Sequence, residues 1–182
     1  MEEYAYVLDY LPQGAAKVGY DRREPLCYAL GDSEFKLFEL VAKRGATINF
    51  GDRIYIGKDA SKRTAVDHVK RRIPVEELTS TGSSELEYAV EAAVKAQDAR
   101  FIRFYNEAGP VSLRKHLLEE LPGLGKKSME AILEERKKGP FKDFADMEAR
   151  VPSVKNPDKL IAARILLEIN DPNRKRYLFT NR

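Results

Sequence analysis

Residues 121–128 read LPGLGKKS, and a helical pattern lies on each side of them. A solvent-facing joint between two helices needs at most one glycine, and a buried joint would exclude the lysines. Glycine leaves the backbone amide unobstructed, and the start of the following helix adds a partial positive charge. The stretch therefore predicts a turn that binds an anionic oxygen, formed by Gly123, Leu124, Gly125, Lys126, Lys127 and Ser128.

The composition is that of a globular protein, since 43% of the 182 residues are hydrophobic and 34% are charged. The single Cys27 excludes an internal disulfide, and two distant histidines exclude the usual zinc clusters, so we expect no metal site. The chain contains no apolar run of membrane-span length, and its first residues are too acidic for a signal peptide. We therefore expect a cytoplasmic protein without a membrane partner.

Positive charge is unevenly distributed along the chain, although the formal net charge is only +3. Residues 1–82 contain 13 Lys/Arg and 13 Asp/Glu, whereas residues 100–142 contain 10 Lys/Arg and 6 Asp/Glu. The tail 172–182, which includes Arg182, has four basic residues and no acidic one. The charge is thus concentrated around the quoted stretch and at the C-terminus, where it favours a polyanionic partner.

The first part of the chain is predicted to form strands. Short segments rich in β-branched and aromatic residues, bounded by Gly and Pro, lie at 4–11, 25–31, 35–42, 53–57 and 66–73. Five short strands in about 70 residues are typical of a small, closed or partly closed barrel. We therefore predict an OB-like β-barrel domain over residues 1–82.

The rest of the chain has a helical rhythm, and the fold class is α+β. The segment TSTGSS (79–84) is interpreted as a hinge, with Ser84 and Glu87 as a capping box that opens a helix. Further helices are predicted near 98–107 and at 110–121, 128–138, 144–150 and 157–170. Pro110 is favourable at a helix start and Gly139-Pro140 at a helix end. Residues 83–182 are therefore predicted to form a helical domain.

An internal repeat lies in this helical half. LPGLGK (121–126) aligns with VPSVKN (151–156), each between two predicted helices, and Ser153 and Lys155 replace the two glycines. A duplicated helix–turn–helix unit with a shared core is the natural interpretation. Lys155 is the candidate contact of the second turn.

The first copy resembles the helix-hairpin-helix motif, whose pattern is apolar–any–Gly–apolar–Gly. Leu121, Gly123, Leu124 and Gly125 match it, and the following lysines fall where members of that family contact phosphate. The resemblance implies buried leucine anchors, and a hairpin carbonyl that can ligate a monovalent cation bridging to phosphate; no other cofactor is expected. The tandem form occurs in DNA-uptake and repair proteins, from which the second copy departs by lacking glycines.

Taken whole, the chain resembles an archaeal family of unknown function, domain of unknown function 655, which is predicted to bind RNA. The resemblance rests on the barrel-like first half and the tandem hairpins, and it covers nearly all 182 residues. It implies that the nucleic acid is RNA. Because tandem hairpins also grip duplex DNA, a DNA-binding protein of the repair or replication type is the alternative, and a protein-interaction scaffold is a further one.

The barrel offers further candidate contacts. Tyr55 would face outward beside Arg53 and could stack on bases. Lys70 and Arg72 would share one face of a strand with His68, with Arg71 on the other. The alternatives are aromatic rings that pack in the core and charges that keep an edge strand from aggregating.

An enzyme is not expected. The sequence shows no carboxylate pair in an acid–base arrangement and no nucleophile elbow. GLGKKS is not a P-loop, because Glu120 stands where that motif needs its first glycine, and a helix precedes it instead of a strand. The sequence predicts a non-enzymatic protein that binds nucleic acid, RNA before DNA, mainly through phosphates.

Overall fold

The computed structural model describes residues 1–181; Arg182, which was counted in the basic tail, lies outside them. Over these residues the fold is mixed α+β, with a curled five-stranded antiparallel sheet that forms a half-barrel and with five α-helices. The α+β class predicted from the sequence is confirmed.

The sheet contains β1 (Tyr4–Leu11), β2 (Leu26–Gly31), β3 (Leu37–Ala42), β4 (Arg53–Tyr55) and β5 (Val66–Arg72). Their order is β4-β1-β2-β3-β5, and every neighbouring pair is antiparallel. All five predicted strands are confirmed, with ends displaced by at most two residues. Short apolar runs between turn residues therefore located all five strands of this sheet.

The concave core of the sheet explains why these segments are strands. All six residues of β2 are buried, so both of its faces are covered. Ala5, Cys27, Ala29 and Leu40 are fully buried in one cluster that spans three neighbouring strands. Burial of a side chain as large as Leu40 stabilises the fold by roughly 1.5–3 kcal/mol before the loss of entropy is counted.

The helices are α1 (Ser80–Ala96), α2 (Asp98–Glu107), α3 (Lys126–Arg136), α4 (Phe144–Arg150) and α5 (Pro157–Asn170). The predicted capping box at Ser84 is wrong, because α1 begins four residues earlier. The hydroxyl of Thr79 accepts a hydrogen bond from the Gly82 amide at 3.0 Å, which caps the helix there. Ser84 lies inside the helix and its hydroxyl donates to the Ser80 carbonyl.

The helix predicted at 110–121 is also wrong. The segment forms a β-hairpin of β6 (Pro110–Ser112) and β7 (Lys115–His116), followed by the 3₁₀ turn Leu117–Glu120. His116 Nδ1 accepts from the Leu118 amide, and the Glu119 carboxylate accepts from the His116 amide. This reciprocal cap starts a new helical turn at Leu117 and separates it from the residues before it.

The chain divides into two compact units. The sheet unit is Met1–Val90 together with the segment that begins at Glu168, and the helical unit is Glu91–Leu167. The division predicted at residue 82 differs from this one chiefly in the last segment. That segment belongs to the sheet unit because the buried Glu168 carboxylate accepts from the amides of residues 178–180, and the Asn181 amide donates to the Glu34 carbonyl.

Candidate nucleic-acid interface

The first turn, residues 121–127, joins the 3₁₀ turn to α3. Leu121 is fully buried and its carbonyl accepts from the Leu124 amide at 3.3 Å. Gly123 and Gly125 are exposed, and α3 begins at the residue after Gly125. One leucine therefore anchors the turn, and its glycines face solvent, as predicted. Leu124, the second predicted anchor, is only partly buried.

The two glycines have different roles. Gly123 has φ +86°, a left-handed conformation that glycine adopts without strain. Gly125 has φ −75° and ψ 161°, which any residue adopts, and a Cβ there would meet no heavy atom within 4 Å. Gly123 is thus required by the path of the backbone, whereas Gly125 leaves the start of α3 uncovered.

The start of α3 presents several hydrogen-bond donors to solvent. The Met129 amide donates to the Gly125 carbonyl at 3.0 Å and closes the first helical turn. The amides of Lys126, Lys127 and Ser128 precede it and have no intrahelical acceptor, and within residues 1–181 no side chain caps the start of this helix. Such amides, at the positive end of the helix dipole, can hold an anionic oxygen.

The two lysines of the first turn carry uncompensated charge. Lys126 and Lys127 are exposed, and within residues 1–181 neither makes an ion pair with a carboxylate. The lysines at the other end of α3 contrast with them, because Lys137 pairs with Glu134 at 2.8 Å and Lys138 with Glu135 at 3.0 Å. The exposed lysines without an ion pair on α3 are therefore at its first turn, while Arg136 at its other end is partly buried and donates to the Tyr105 carbonyl.

A buried arginine holds the residue that directly precedes the first turn. Arg164 of α5 is 1% exposed, and its Nη1 donates to the Glu120 carbonyl at 3.2 Å and to the Glu120 carboxylate at 2.9 Å. Lys115 of β7 pairs with the other carboxylate oxygen at 2.9 Å. Lys115 and then Arg164 hold the pKa of Glu120 below its usual range, so the carboxylate stays charged. The residue before the turn is thus fixed by two elements.

The second turn, residues 151–156, repeats part of this geometry. The Val154 amide donates to the Val151 carbonyl at 3.0 Å, as the corresponding residues of the first turn do, and both valines are buried. The positive φ has moved to Asn156, at +51°. Lys155 is exposed and makes no ion pair within the described residues. The second turn therefore offers one free ammonium group.

The candidates on the sheet unit are engaged with other parts of the same unit. The Arg53 guanidinium lies 3.8 Å from the Tyr4 ring centroid and pairs with Asp32 at 2.8 Å. The Tyr55 ring packs edge-on against Tyr4 at 5.3 Å, and its hydroxyl accepts from the Asp59 amide. These side chains form one packed cluster.

A β-bulge on β5 changes the predicted alternation of its charges. Glu39 pairs with Arg71 and Leu40 with Val69 in the strand register, so Lys70 is the extra residue. Lys70 and Arg71 consequently both reach the Glu39 carboxylate, at 3.7 Å and 3.0 Å. The prediction that Lys70 lies on the face opposite Arg71 is wrong, because a bulge shifts the side-chain period by one residue.

Arg72, the last candidate, is exposed and donates to the Asn181 carbonyl at 3.3 Å. The candidates at residues 123–128 and 155 lie in the helical unit, while those at 53, 55, 70 and 72 lie in the sheet unit. The candidates at 123–128 follow one another along the chain and form one group. The candidates of the sheet unit do not form such a group, because each contacts a different partner within that unit.

The structure adds two residues that the sequence analysis missed. Leu113 and Arg114 lie at the tip of the β6–β7 hairpin, and the leucine is fully exposed. The apolar spacing of this segment suggested a helix, which would have placed the leucine in the core. Val111, which is β-branched, and Pro110, which suits an edge strand, were the available signals for a hairpin.

Residues 1–181 contain no group of three or more His, Cys, Asp or Glu side chains that could hold a metal ion. None of the helices in this range is long and apolar enough to cross a membrane.

Comparison with known proteins identifies the family. The family described as "Protein of unknown function (DUF655)" matches residues 1–181, and the chain belongs to it. A relative in Methanocaldococcus jannaschii, the uncharacterized protein MJ0038, is 46% identical over 178 residues, which cover 97% of this chain and 78% of the relative.

A solved structure is also similar. The crystal structure of Af1531 from Archaeoglobus fulgidus, described as a DUF655 member, has a TM-score of 0.91 and 43% sequence identity to this chain. The match covers 99% of this chain and 100% of the other. The resemblance to this archaeal family inferred from the sequence is confirmed, and this chain shares its fold with Af1531.

Proposed function

We propose that this protein is a non-enzymatic nucleic-acid-binding protein that grips the phosphate backbone through the first turn, with RNA as the preferred partner. One observation carries the proposal: Lys126 and Lys127 are exposed and unpaired within residues 1–181, directly beside the uncapped start of α3. Amides at a helix start and free ammonium groups together recognise phosphate without regard to base identity.

The helical unit supports a tandem helix-hairpin-helix interpretation. Both turns lie between helical segments, and each has a hydrogen bond from its fourth residue to its first. Buried apolar residues anchor both turns at the first position. The first turn, with its glycines, is the principal phosphate contact, and the second adds Lys155.

The sheet unit supports an OB-like interpretation. Strands β4-β1-β2-β3 follow one another in Greek-key order, and the five-stranded sheet curls into a half-barrel, which favours a partly open barrel of this kind. Because Arg53 and Lys70 pair with carboxylates and Tyr55 packs against Tyr4, we assign this unit a secondary part in binding.

The choice of RNA rests on the family resemblance, since phosphate contacts do not separate RNA from DNA. Duplex DNA is the second candidate, favoured by the two turns 30 residues apart, at 121–126 and 151–156, as in tandem hairpins that grip both strands. A protein-interaction scaffold is the competing class, in which neither turn touches phosphate.

The test is a fluorescence anisotropy titration with labelled single-stranded RNA, duplex RNA and duplex DNA, each at several salt concentrations. We expect salt-sensitive binding, with a slope of about −0.7 to −0.9 per neutralised phosphate in a plot of log K against log salt. The Lys126→Ala, Lys127→Ala double variant should bind more weakly. Its slope should be shallower by the amount expected for about two phosphate contacts.

The matched control is Lys137→Ala, Lys138→Ala, which removes the same charge from the paired end of the same helix. It should leave affinity within about twofold of wild type and the slope unchanged. Equal losses in both double variants would show that bulk charge, not the turn, drives binding. No binding to any of the three nucleic acids would reject the proposal in favour of the scaffold.

A further inference from the structure

We propose that the β6–β7 hairpin is a second contact of the helical unit with a duplex region of nucleic acid, and that Leu113 inserts between its bases. The inference rests on the proposed function, because the first turn must hold the phosphates nearby. It goes beyond that function by assigning the bound form, a duplex, and by predicting that the protein distorts it.

The exposure of Leu113 is the first observation. Its relative accessibility is 107%, the highest of the large hydrophobic residues in the described chain, and the neighbouring Val111 is 40% exposed. Covering a leucine side chain is worth roughly 1.5–3 kcal/mol. A partner that covers this tip would therefore gain appreciable free energy.

The hairpin is held in place by several contacts. Pro110 pairs with His116 and Ser112 with Lys115, which leaves Leu113 and Arg114 as the tip. The Leu117 amide donates to the Gly109 carbonyl at 2.9 Å, and the Arg114 amide donates to the Ser112 hydroxyl at 3.3 Å. Because these contacts fix the backbone of the hairpin, little backbone conformational entropy is lost when the tip binds.

The charge around the tip favours a polyanion as the partner. Residues 109–118 contain Arg114, Lys115 and His116 and no acidic residue. Arg114 is exposed and makes no ion pair within residues 1–181. An apolar tip flanked by a free guanidinium suits a surface where base stacks lie between phosphates, and apolar wedges of this kind unstack base steps.

The hairpin and the first turn share a support. Lys115 of β7 and Arg164 of α5 bind the two oxygens of the Glu120 carboxylate, and Glu120 directly precedes the turn. Glu120 thus connects the two segments, because it directly precedes the phosphate-binding turn and its carboxylate pairs with Lys115 of the hairpin. In duplex RNA the wide, shallow minor groove gives a hairpin access to the bases beside the phosphates that the turn would hold.

The experiment uses duplex RNA and duplex DNA with a central 2-aminopurine, whose fluorescence rises when its neighbours unstack. Wild-type protein should raise the fluorescence of the duplex that it binds more tightly. The Leu113→Ser variant should lose this rise and bind about tenfold more weakly, the order expected for one leucine side chain. Its salt slope should not change, because no phosphate contact is removed.

The matched control is Leu167→Ser, at a leucine of α5 that is 40% exposed. It should keep both the fluorescence rise and the affinity, and circular dichroism should show that both variants remain folded. Arg114→Ala should reduce the salt slope by the amount expected for about one phosphate contact, and it should retain the rise in 2-aminopurine fluorescence.

The outcomes separate this inference from the proposed function. Salt-sensitive binding through Lys126 and Lys127 without a fluorescence rise in either duplex would overturn the insertion of Leu113 and leave the phosphate-binding turn intact. Equal losses in the Leu113 and Leu167 variants would also overturn it. Absence of salt-sensitive binding to any nucleic acid would overturn both proposals. A rise in duplex DNA alone would support the insertion and assign the duplex to DNA.

Discussion

Strand β5 and the first turn are both basic in sequence, but the fold uses their charges differently. On β5, Lys70 and Arg71 are drawn to the buried Glu39 carboxylate. On the first turn, Lys126 and Lys127 extend into solvent and have no acidic partner within residues 1–181. The difference teaches that the availability of a positive charge depends on where the fold places the acids, which a count along the sequence does not show.

The support of each region differs as well. On β5 only the cations are exposed, since the Lys70 and Arg71 side chains are 42% and 46% exposed and that of Glu39 is 8% exposed. Beneath the first turn the pair is Arg164 with Glu120, and the arginine is 1% exposed. A buried pair responds much more strongly than an exposed one when a single partner is removed.

The largest expected effect comes from the buried arginine. Arg164→Met should lower the free energy of unfolding by up to about 3–5 kcal/mol, because Glu120 would lose its buried partner and keep the half-exposed Lys115. Urea unfolding at neutral pH measures it. Lys159→Met, at an exposed position of the same helix, should change it by less than about 0.5 kcal/mol. A similar, small effect of both variants would mean that the pair does not support the turn.

The second largest effect is the difference in stability between two variants that carry the same substitution, glycine to serine, at positions 123 and 125. Gly123→Ser should lower the free energy of unfolding by about 1–3 kcal/mol, because its φ of +86° strains any other residue. Gly125→Ser should leave the protein at least as stable, because serine is a good N-cap. The serine hydroxyl would accept a hydrogen bond from an amide of the first helical turn, and that amide could no longer bind phosphate. Affinity for nucleic acid should therefore fall about tenfold.

Unfolding curves and anisotropy titrations on both glycine variants provide this measurement. If Gly125→Ser bound as tightly as wild type, the amides at the start of α3 would not be phosphate ligands. The lysines would then act alone.

A smaller effect tests the comparison of the two basic regions directly. Lys126→Ala should weaken binding several-fold and reduce the salt slope by about 0.7–0.9. Lys70→Ala should change affinity by less than about twofold, because this ammonium already lies near Glu24 and Glu39. Anisotropy titrations over a salt series measure both. Equal losses would show that β5 is as much a part of the interface as the first turn.

The smallest effect is a pH dependence near His116. Burial, and then the charge of Arg136, lower the pKa of His116 from its ordinary value of 6.5. Its neutral Nδ1 accepts from the Leu118 amide, so this cap contributes above about pH 6.5 and is lost as pH falls through the folded-state pKa. The loss should be about 1 kcal/mol.

Thermal unfolding between pH 7.5 and 5 measures this loss. His116→Asn keeps an acceptor that does not titrate and should flatten the profile. If the thermal stability of wild type and of His116→Asn depended on pH in the same way, the His116 cap would not be the cause of the pH dependence.

The sequence by itself determined the elements with a local cause. The five strands and the helices at 98–107, 144–150 and 157–170 lie where they were predicted, because apolar periodicity and turn residues act over a few neighbours. The need for glycine at position 123 followed from the same reasoning, since backbone freedom is a property of one residue, whereas Gly125 has a backbone conformation that any residue adopts.

Only the tertiary structure decided the rest. Glu39 and Arg71 are 32 residues apart and Glu120 and Arg164 are 44 apart, so no local pattern could tell which cations are paired. The same holds for the last segment, which joins the sheet unit through Glu168. The exposure of Leu113 has a different, local cause, because the β6–β7 hairpin places in solvent a leucine whose spacing suggested a core. Burial and ion pairing depend on which distant segments meet, and the folded chain alone fixes that.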